Sequence, residues 1–144
     1  MAYCTKEDIL DKLDEESLIQ LTDDEGTGTV NDGRVDKAIA AADATINFYC
    51  RNLYLVPLSP APDKINQIAV NIAIYELYSR RDDTMPDTRK DKYNGDIRTL
   101  EKVSDGKIKL PCQASASTAE GEHSGELMVS TRSKQFGPDT VDKY

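Results

Sequence analysis

An all-α fold is predicted: a small bundle of about four to five helices around a long central apolar helix, followed by a largely irregular C-terminal tail. Three observations predict it. Apolar residues recur at steps of three and four through most of residues 5–104. Strand-like character is confined to one short stretch, Glu126–Thr131 (ELMVST). Beyond Leu110 the segment Gln113–Gly125, QASASTAEGEHSG, holds no large apolar side chain. The chain therefore divides into a helical domain, residues 1–110, and a tail, residues 111–144, whose composition does not support a core of its own.

The first helix follows Thr5. Its hydroxyl suits a cap, and Asp8 suits the positive end of the first turn, with Ile9, Leu10 and Leu13 as the apolar stripe. A second short helical turn covers Asp14–Leu21, with Leu18, Ile19 and Leu21 apolar. Thr22–Gly33, TDDEGTGTVNDG, is a loop by composition, because Gly, Asp, Asn and Thr favour turns over helix. Asp32 is expected to cap a long helix to about Leu53. Val35, Ile39, Ala42, Ile46, Tyr49, Cys50 and Leu53 line one of its faces, and its length would be roughly 33 Å at 1.5 Å per residue.

Tyr54–Pro62, YLVPLSPAP, is excluded from helix by its prolines. Asp63 opens a helix to about Arg81. Ile65, Ile68, Ala69, Ile72, Ala73, Tyr75, Leu77 and Tyr78 leave so few polar positions that it reads as the central helix, covered on several sides. After a loop at 82–86, Tyr93, Ile97, Leu100 and Val103 mark an amphipathic helix from about Asp87 to Ser104, which Asp105-Gly106 ends.

Composition narrows the function. Mean hydropathy is −0.58, and no apolar run is long enough to cross a membrane, so no membrane association is expected. The start, MAYCTKEDIL, lacks the basic and apolar regions of a signal peptide, which predicts a cytoplasmic location in the producing cell. Cys4, Cys50 and Cys112 form no CxxC pattern and read as three free thiols, with Cys50 on the apolar side of its helix. Residues 7–36 hold eleven acids against Lys12 and Arg34, a local balance of −9 within a chain whose total is −8. Such a face repels nucleic-acid phosphates, so no specific nucleic-acid binding is expected.

Three candidate sites follow from residue types. The Asp-rich loop fits a calcium loop in part: Asp23 takes the first position, Glu25 the third, Thr27 the fifth, Gly28 the sixth, Val30 the eighth and Asn31 the ninth. The twelfth position, where a bidentate Glu is needed, is Arg34, so a capped interhelical turn is expected and no metal or cofactor. Nucleophilic catalysis lacks a held base, because the single histidine, His123, lies in the tail; the chain is not expected to be an enzyme. The end of the central helix, Tyr75-Glu76-Leu77-Tyr78-Ser79-Arg80-Arg81, carries residue types enriched at interfaces, with Tyr78, Arg80 and Arg81 as candidates for docking. The alternative there is Leu77 and Tyr78 as core, with the two arginines favouring the helix C-terminus.

The start MAYCTKEDIL, then LIQLTDDEGTG, VDKAIAAADATI, YLVPLSP and AIYELYSRR, span Met1 to Arg81 in order. In this series the chain resembles the Mu-like tailed-phage and prophage morphogenesis proteins, a family filed as a domain of unknown function and linked to head–tail joining. Relatives often carry more acids in the loop, from which Thr27 and Arg34 depart. The resemblance implies an adaptor or head-completion protein, located at the head–tail interface of the virion and in the bacterial cytoplasm during assembly. Its implied partners are the portal protein, the next head–tail connector or tail component, and further copies of itself in a ring, typically of twelve, though such proteins are commonly monomers in isolation. The tail, with Phe136 and Tyr144 as anchors, would order on assembly, and the acidic stretch would keep exiting DNA from sticking. Two other readings compete: an acidic DNA mimic that inhibits a host nucleic-acid-binding protein, and a calcium-binding module.

Overall fold

The computed structural model describes residues 2–81, 85–112 and 114, and over them the chain is helical: α1 (Lys6–Leu10), α2 (Glu15–Thr22), α3 (Asp32–Cys50), α4 (Asp63–Ser79) and α5 (Asp87–Ser104). The strand-like stretch Glu126–Thr131 lies outside the described residues, as does nearly all of the tail. No helix among the described residues is long and apolar enough to cross a membrane.

Local chemistry places the helix starts. Thr5 and Asp8 form a reciprocal capping box: the Thr5 hydroxyl accepts the Asp8 N–H at 3.3 Å and the Asp8 carboxylate accepts the Thr5 N–H at 2.9 Å. Asp14 caps α2 by accepting the Ser17 N–H. The cap of α3 is Asn31, not the expected Asp32. Asn31 Oδ1 accepts the Arg34 N–H at 3.2 Å, and Asp32 lies within the first turn, paired with Lys6 at 2.8 Å. Both residues are good caps by type. Thr22 decides between them: its fully buried hydroxyl accepts the Asn31 N–H at 3.1 Å and holds that residue extended.

The helix ends show where tertiary packing shortened the expected spans. α3 stops at Cys50 rather than Leu53, because the chain turns over residues 51–53 and Tyr54 tucks its ring into the core. α4 stops at Ser79, two residues short of Arg81. α5 ends as Asp105-Gly106 predicts: the Gly106 N–H bonds to Val103 O and the Lys107 N–H to Lys102 O, with Gly106 at φ +82°, a conformation that disfavours any side chain.

α4 is the centre of the bundle and packs against α1, α2, α3 and α5. Ile65, Ile68, Ile72 and Leu77 are buried as expected, and Val70 and Ile74 are buried too, so the helix is covered almost all round. Tyr75 and Tyr78 are only half-buried; the Tyr75 ring stacks on Tyr93 of α5 with centroids 3.7 Å apart. One polar pair sits between α4 and α5, where Asn71 donates to the buried Asp96 carboxylate at 2.7 Å.

The first residues are part of the core, a feature too short to show a period in the sequence. Tyr3 and Cys4 are buried. The Tyr3 hydroxyl donates to Asn47 of α3 and accepts the Leu58 N–H at 2.8 Å, while Asn66 of α4 donates to Tyr3 O at 2.9 Å. At the other end the boundary at Leu110 is not sharp. The Leu110 N–H donates to the Tyr54 hydroxyl at 2.8 Å, the Cys112 thiol to Pro60 O, and Ala114 makes an isolated antiparallel bridge with Tyr54.

Two substitutions test this packing. Ile72→Ala is expected to cost about 2–5 kcal/mol in urea unfolding, as large-to-small changes at closed core sites do. Gly95→Ala in α5, where a methyl meets nothing within 4 Å, is expected to raise stability by about 0.5–1 kcal/mol.

Candidate interaction surface

The C-terminal end of α2 presents carbonyls that its own helix leaves without partners. The Asp23 N–H takes Ile19 O at 2.7 Å. The next three carbonyls each receive an arginine: Arg81 donates to Gln20 O, Arg80 to Leu21 O, and Arg34 to Thr22 O at 2.8 Å. Three positive charges thus stand at the negative pole of α2. Two of them come from the end of α4 and one from the first turn of α3, so the contacts tie three helices together. The predicted docking residues Arg80 and Arg81 therefore do cap a helix C-terminus, but that of α2 rather than their own.

The following loop completes the arrangement. Arg34 bonds Glu25 in bidentate fashion at 3.0 and 3.2 Å and lies 3.4 Å from Asp24, which also accepts from Arg80. Asp23 accepts the N–H groups of Thr27 at 2.9 Å and Gly28 at 2.6 Å, with Gly28 at φ +78°. The residue at the twelfth position of a calcium loop is thus a guanidinium bonded to both carboxylate oxygens of Glu25, the third position: the loop carries its own positive charge. Among the described residues no group of three or more His, Cys, Asp or Glu is arranged to hold a metal.

These bonds shift the carboxyl groups downward. The Arg80 hydrogen bond, then the charges of the neighbouring arginines, hold Asp24 below the usual range. The Arg34 hydrogen bond and charge do the same for Glu25, and the N–H groups of Thr27 and Gly28 for Asp23. The thiols move the other way, with burial pushing Cys4 up to about 12 and Cys50 to about 11, which leaves both poor nucleophiles at neutral pH.

The acidic stretch divides into two groups. Asp8 and Asp14 cap helices, Asp23 binds loop backbone, Asp24 and Glu25 meet arginines and Asp32 meets Lys6. Glu7, Asp11, Glu15 and Glu16, on α1, α2 and the turn between them, and Asp36 on α3 are exposed and make no such contact among those described above. Beside the arginines, a cavity of about 210 Å³ opens between α3 and α4, lined by Arg34, Lys37, Ala38, Ala41, Glu76 and Arg80.

Of the residues singled out in the sequence, the structure brings Arg80 and Arg81 together on α2 and turns the half-buried Tyr78 towards the core. Phe136, Tyr144 and His123 lie outside the described residues. That Arg80 and Arg34 share the Asp24 carboxylate was not legible in the sequence. The only hint was a positive charge at a position where the calcium pattern requires a negative one.

Removing the Arg80 contacts by Arg80→Ala is expected to lower the melting temperature by roughly 5 °C, through loss of charge-assisted hydrogen bonds. Asp24 and Glu25 have folded pKa values below their unfolded ones, so their contribution is complete above the unfolded carboxylate range and is lost as pH falls through the lowered values. Wild-type stability should therefore fall on acidification below about pH 4, and less steeply in Arg80→Ala. Added Ca²⁺ should leave the wild-type melting curve unchanged; a clear upward shift would overturn the self-neutralised reading of the loop.

Comparison with known proteins extends the resemblance noted in the sequence. A family model described as "Bacteriophage Mu, Gp36" matches residues 3–129, past the last described residue. A relative from Haemophilus influenzae, the "Mu-like prophage FluMu protein gp36", is 28% identical over 131 residues, covering 91% of this chain and 90% of the relative. The match begins at the buried Tyr3 and takes in all five helices, the arginine-held end of α2 and the bridge to Ala114. With nearly its whole length inside that match, the chain belongs to the bacteriophage Mu Gp36 family.

Proposed function

We propose that this phage protein is a structural, non-catalytic head–tail connector that docks on the portal protein, assembles as a ring and extends the DNA channel towards the next connector or tail component. Its place would be the head–tail interface of the virion, reached from the host cytoplasm. Membership of a Mu phage family supports the setting, and the head–tail role rests on the resemblance of the motifs between Met1 and Arg81. The observation that carries the mechanism is the exposed carboxylate set Glu7, Asp11, Glu15 and Glu16, borne on two helices that the capping residues and three arginines hold in place. Fixed negative charge beside passing DNA repels its phosphates and prevents adhesion without any specific contact. The acids that meet arginines, Lys6 or helix N-termini have part of their charge offset, which leaves Glu7, Asp11, Glu15 and Glu16 as the carriers of this reading.

Electron microscopy of the protein mixed with the portal of the same phage tests the docking. A ring of density added beneath the portal is the expected result. Unchanged portal particles, together with normal tailed virions from a phage lacking this gene, would remove the proposal. Replacing Glu7, Asp11, Glu15 and Glu16 by lysine should leave ring formation intact and slow DNA release. If the four positions map to the outer rim of the assembled ring, the channel role fails while docking stands.

A further inference from the structure

The large apolar side chains left exposed among the described residues are Phe48, Leu55, Val56 and Ile108, with 59, 47, 36 and 37% of their surfaces open. They come from distant parts of the chain and lie at the end of the bundle where α3 and α5 finish. Phe48 precedes the end of α3 by two residues, Leu55 and Val56 follow the turn that ends it, and Ile108 follows the Gly106 turn that ends α5. The two helix ends are joined: Asn52 donates to Ser104 at 3.2 Å, and Leu53 lies 3.6 Å from where a Gly106 side chain would begin. Single exposed apolar residues are ordinary on a protein surface; a gathered set marks something that is covered. The Arg51 guanidinium stands 5.1 Å above the Phe48 ring, and the exposed Lys107 and Lys109 flank Ile108, with Asp105 also exposed nearby in the chain.

The chain is delivered to this same end. Ala114 pairs antiparallel with Tyr54, the residue before Leu55, and is the last described residue. A strand continuing that pairing would run from Tyr54 back towards Arg51 and Phe48. Thirty residues follow Ala114, with Leu127-Met128-Val129 the first large apolar residues among them and Glu120, Glu122 and Glu126 just before. Twelve residues lie between Ala114 and Leu127, a reach of up to about 45 Å, so distance sets no barrier. The family match also runs through Val129 and stops there, so this segment belongs to the shared domain.

The geometry points to Glu126–Val129 of the same chain as the segment that covers the apolar end formed by Phe48, Leu55, Val56 and Ile108. Leu127, Met128 and Val129 have the apolar character such a cover requires, and Glu122 and Glu126 carry charge opposite to that of Arg51 and Lys107. The inference concerns the isolated subunit and stands whether or not the protein is a connector.

A photo-reactive p-benzoylphenylalanine at position 48 of the full chain tests it, irradiated in an equal mixture of isotopically light and heavy protein and read by mass spectrometry. The expected product links position 48 to residues 126–129 within one isotopic form. Links only to residues 2–112, links between light and heavy chains, or no link at all would each overturn the inference, the mixed links by assigning the surface to a second copy. Combining Leu127→Asp, Met128→Asp and Val129→Asp should abolish the link and raise the binding of an apolar dye, with helical circular dichroism unchanged. Persistence of the link in that variant would also count against it.

Discussion

The burial of α4 is the constraint on which the other elements depend. A helix of 17 residues with Ile65, Ile68, Ile72, Ile74 and Leu77 all below 2% exposed cannot present that surface to water. Each such side chain contributes about 1.5–3 kcal/mol on burial, a sizeable share of the roughly 5–15 kcal/mol by which domains are stable. A helix that is apolar nearly all round needs cover on every side. α3 and α5 provide the long faces, α1 and α2 close one flank, and the N-terminal Tyr3-Cys4 fills what remains. Asp96 is the exception among these contacts: burial raises its carboxyl above the usual range, and the Asn71 hydrogen bond only partly offsets that.

Cover by short elements creates a second problem, which the arginines solve. α1 and α2 have 5 and 8 residues, too few to be stable helices alone. Their ends are therefore satisfied from outside. The capping box and Asp14 serve the N-termini, and Arg34, Arg80 and Arg81 serve the C-terminus of α2. The same guanidiniums neutralise Asp24 and Glu25, so a loop rich in carboxylates becomes a joint between α2, α3 and α4. What resembles a metal loop by composition thus works as a structural joint by contact.

The proposed function draws on the contrast between the two ends of α3. At its start lie the arginine joint and, beyond it, short helices carrying exposed carboxylates. At its finish lie Phe48 and the apolar end where the tail begins. A polar, self-satisfied corner suits a surface that must not bind what passes it. An apolar end with a long segment following beside it suits the intramolecular cover proposed for it. The bundle between them needs no moving part for either task.

The helices were legible in the sequence because their signals are local: apolar steps of three and four in α3, α4 and α5, the Thr5 and Asp14 caps, the prolines of residues 57–62 and the Gly106 stop. The central position of α4 was legible for the same reason, since a helix without a polar face has one place to go. Arg80 and Arg81 were visible as charged residues at a helix end, but the helix whose carbonyls they cap is about 60 residues away along the chain. The choice of Asn31 over Asp32 depended on a buried threonine nine residues earlier, and the shortening of α3 on where Tyr54 had to pack. By itself, then, the sequence determined which segments are helical, which helix is innermost and which family pattern the chain follows, because periodicity and capping act within a few residues. Only the tertiary structure decided which charges neutralise one another and which apolar side chains remain outside, because both depend on residues that meet only after the chain has folded back on itself.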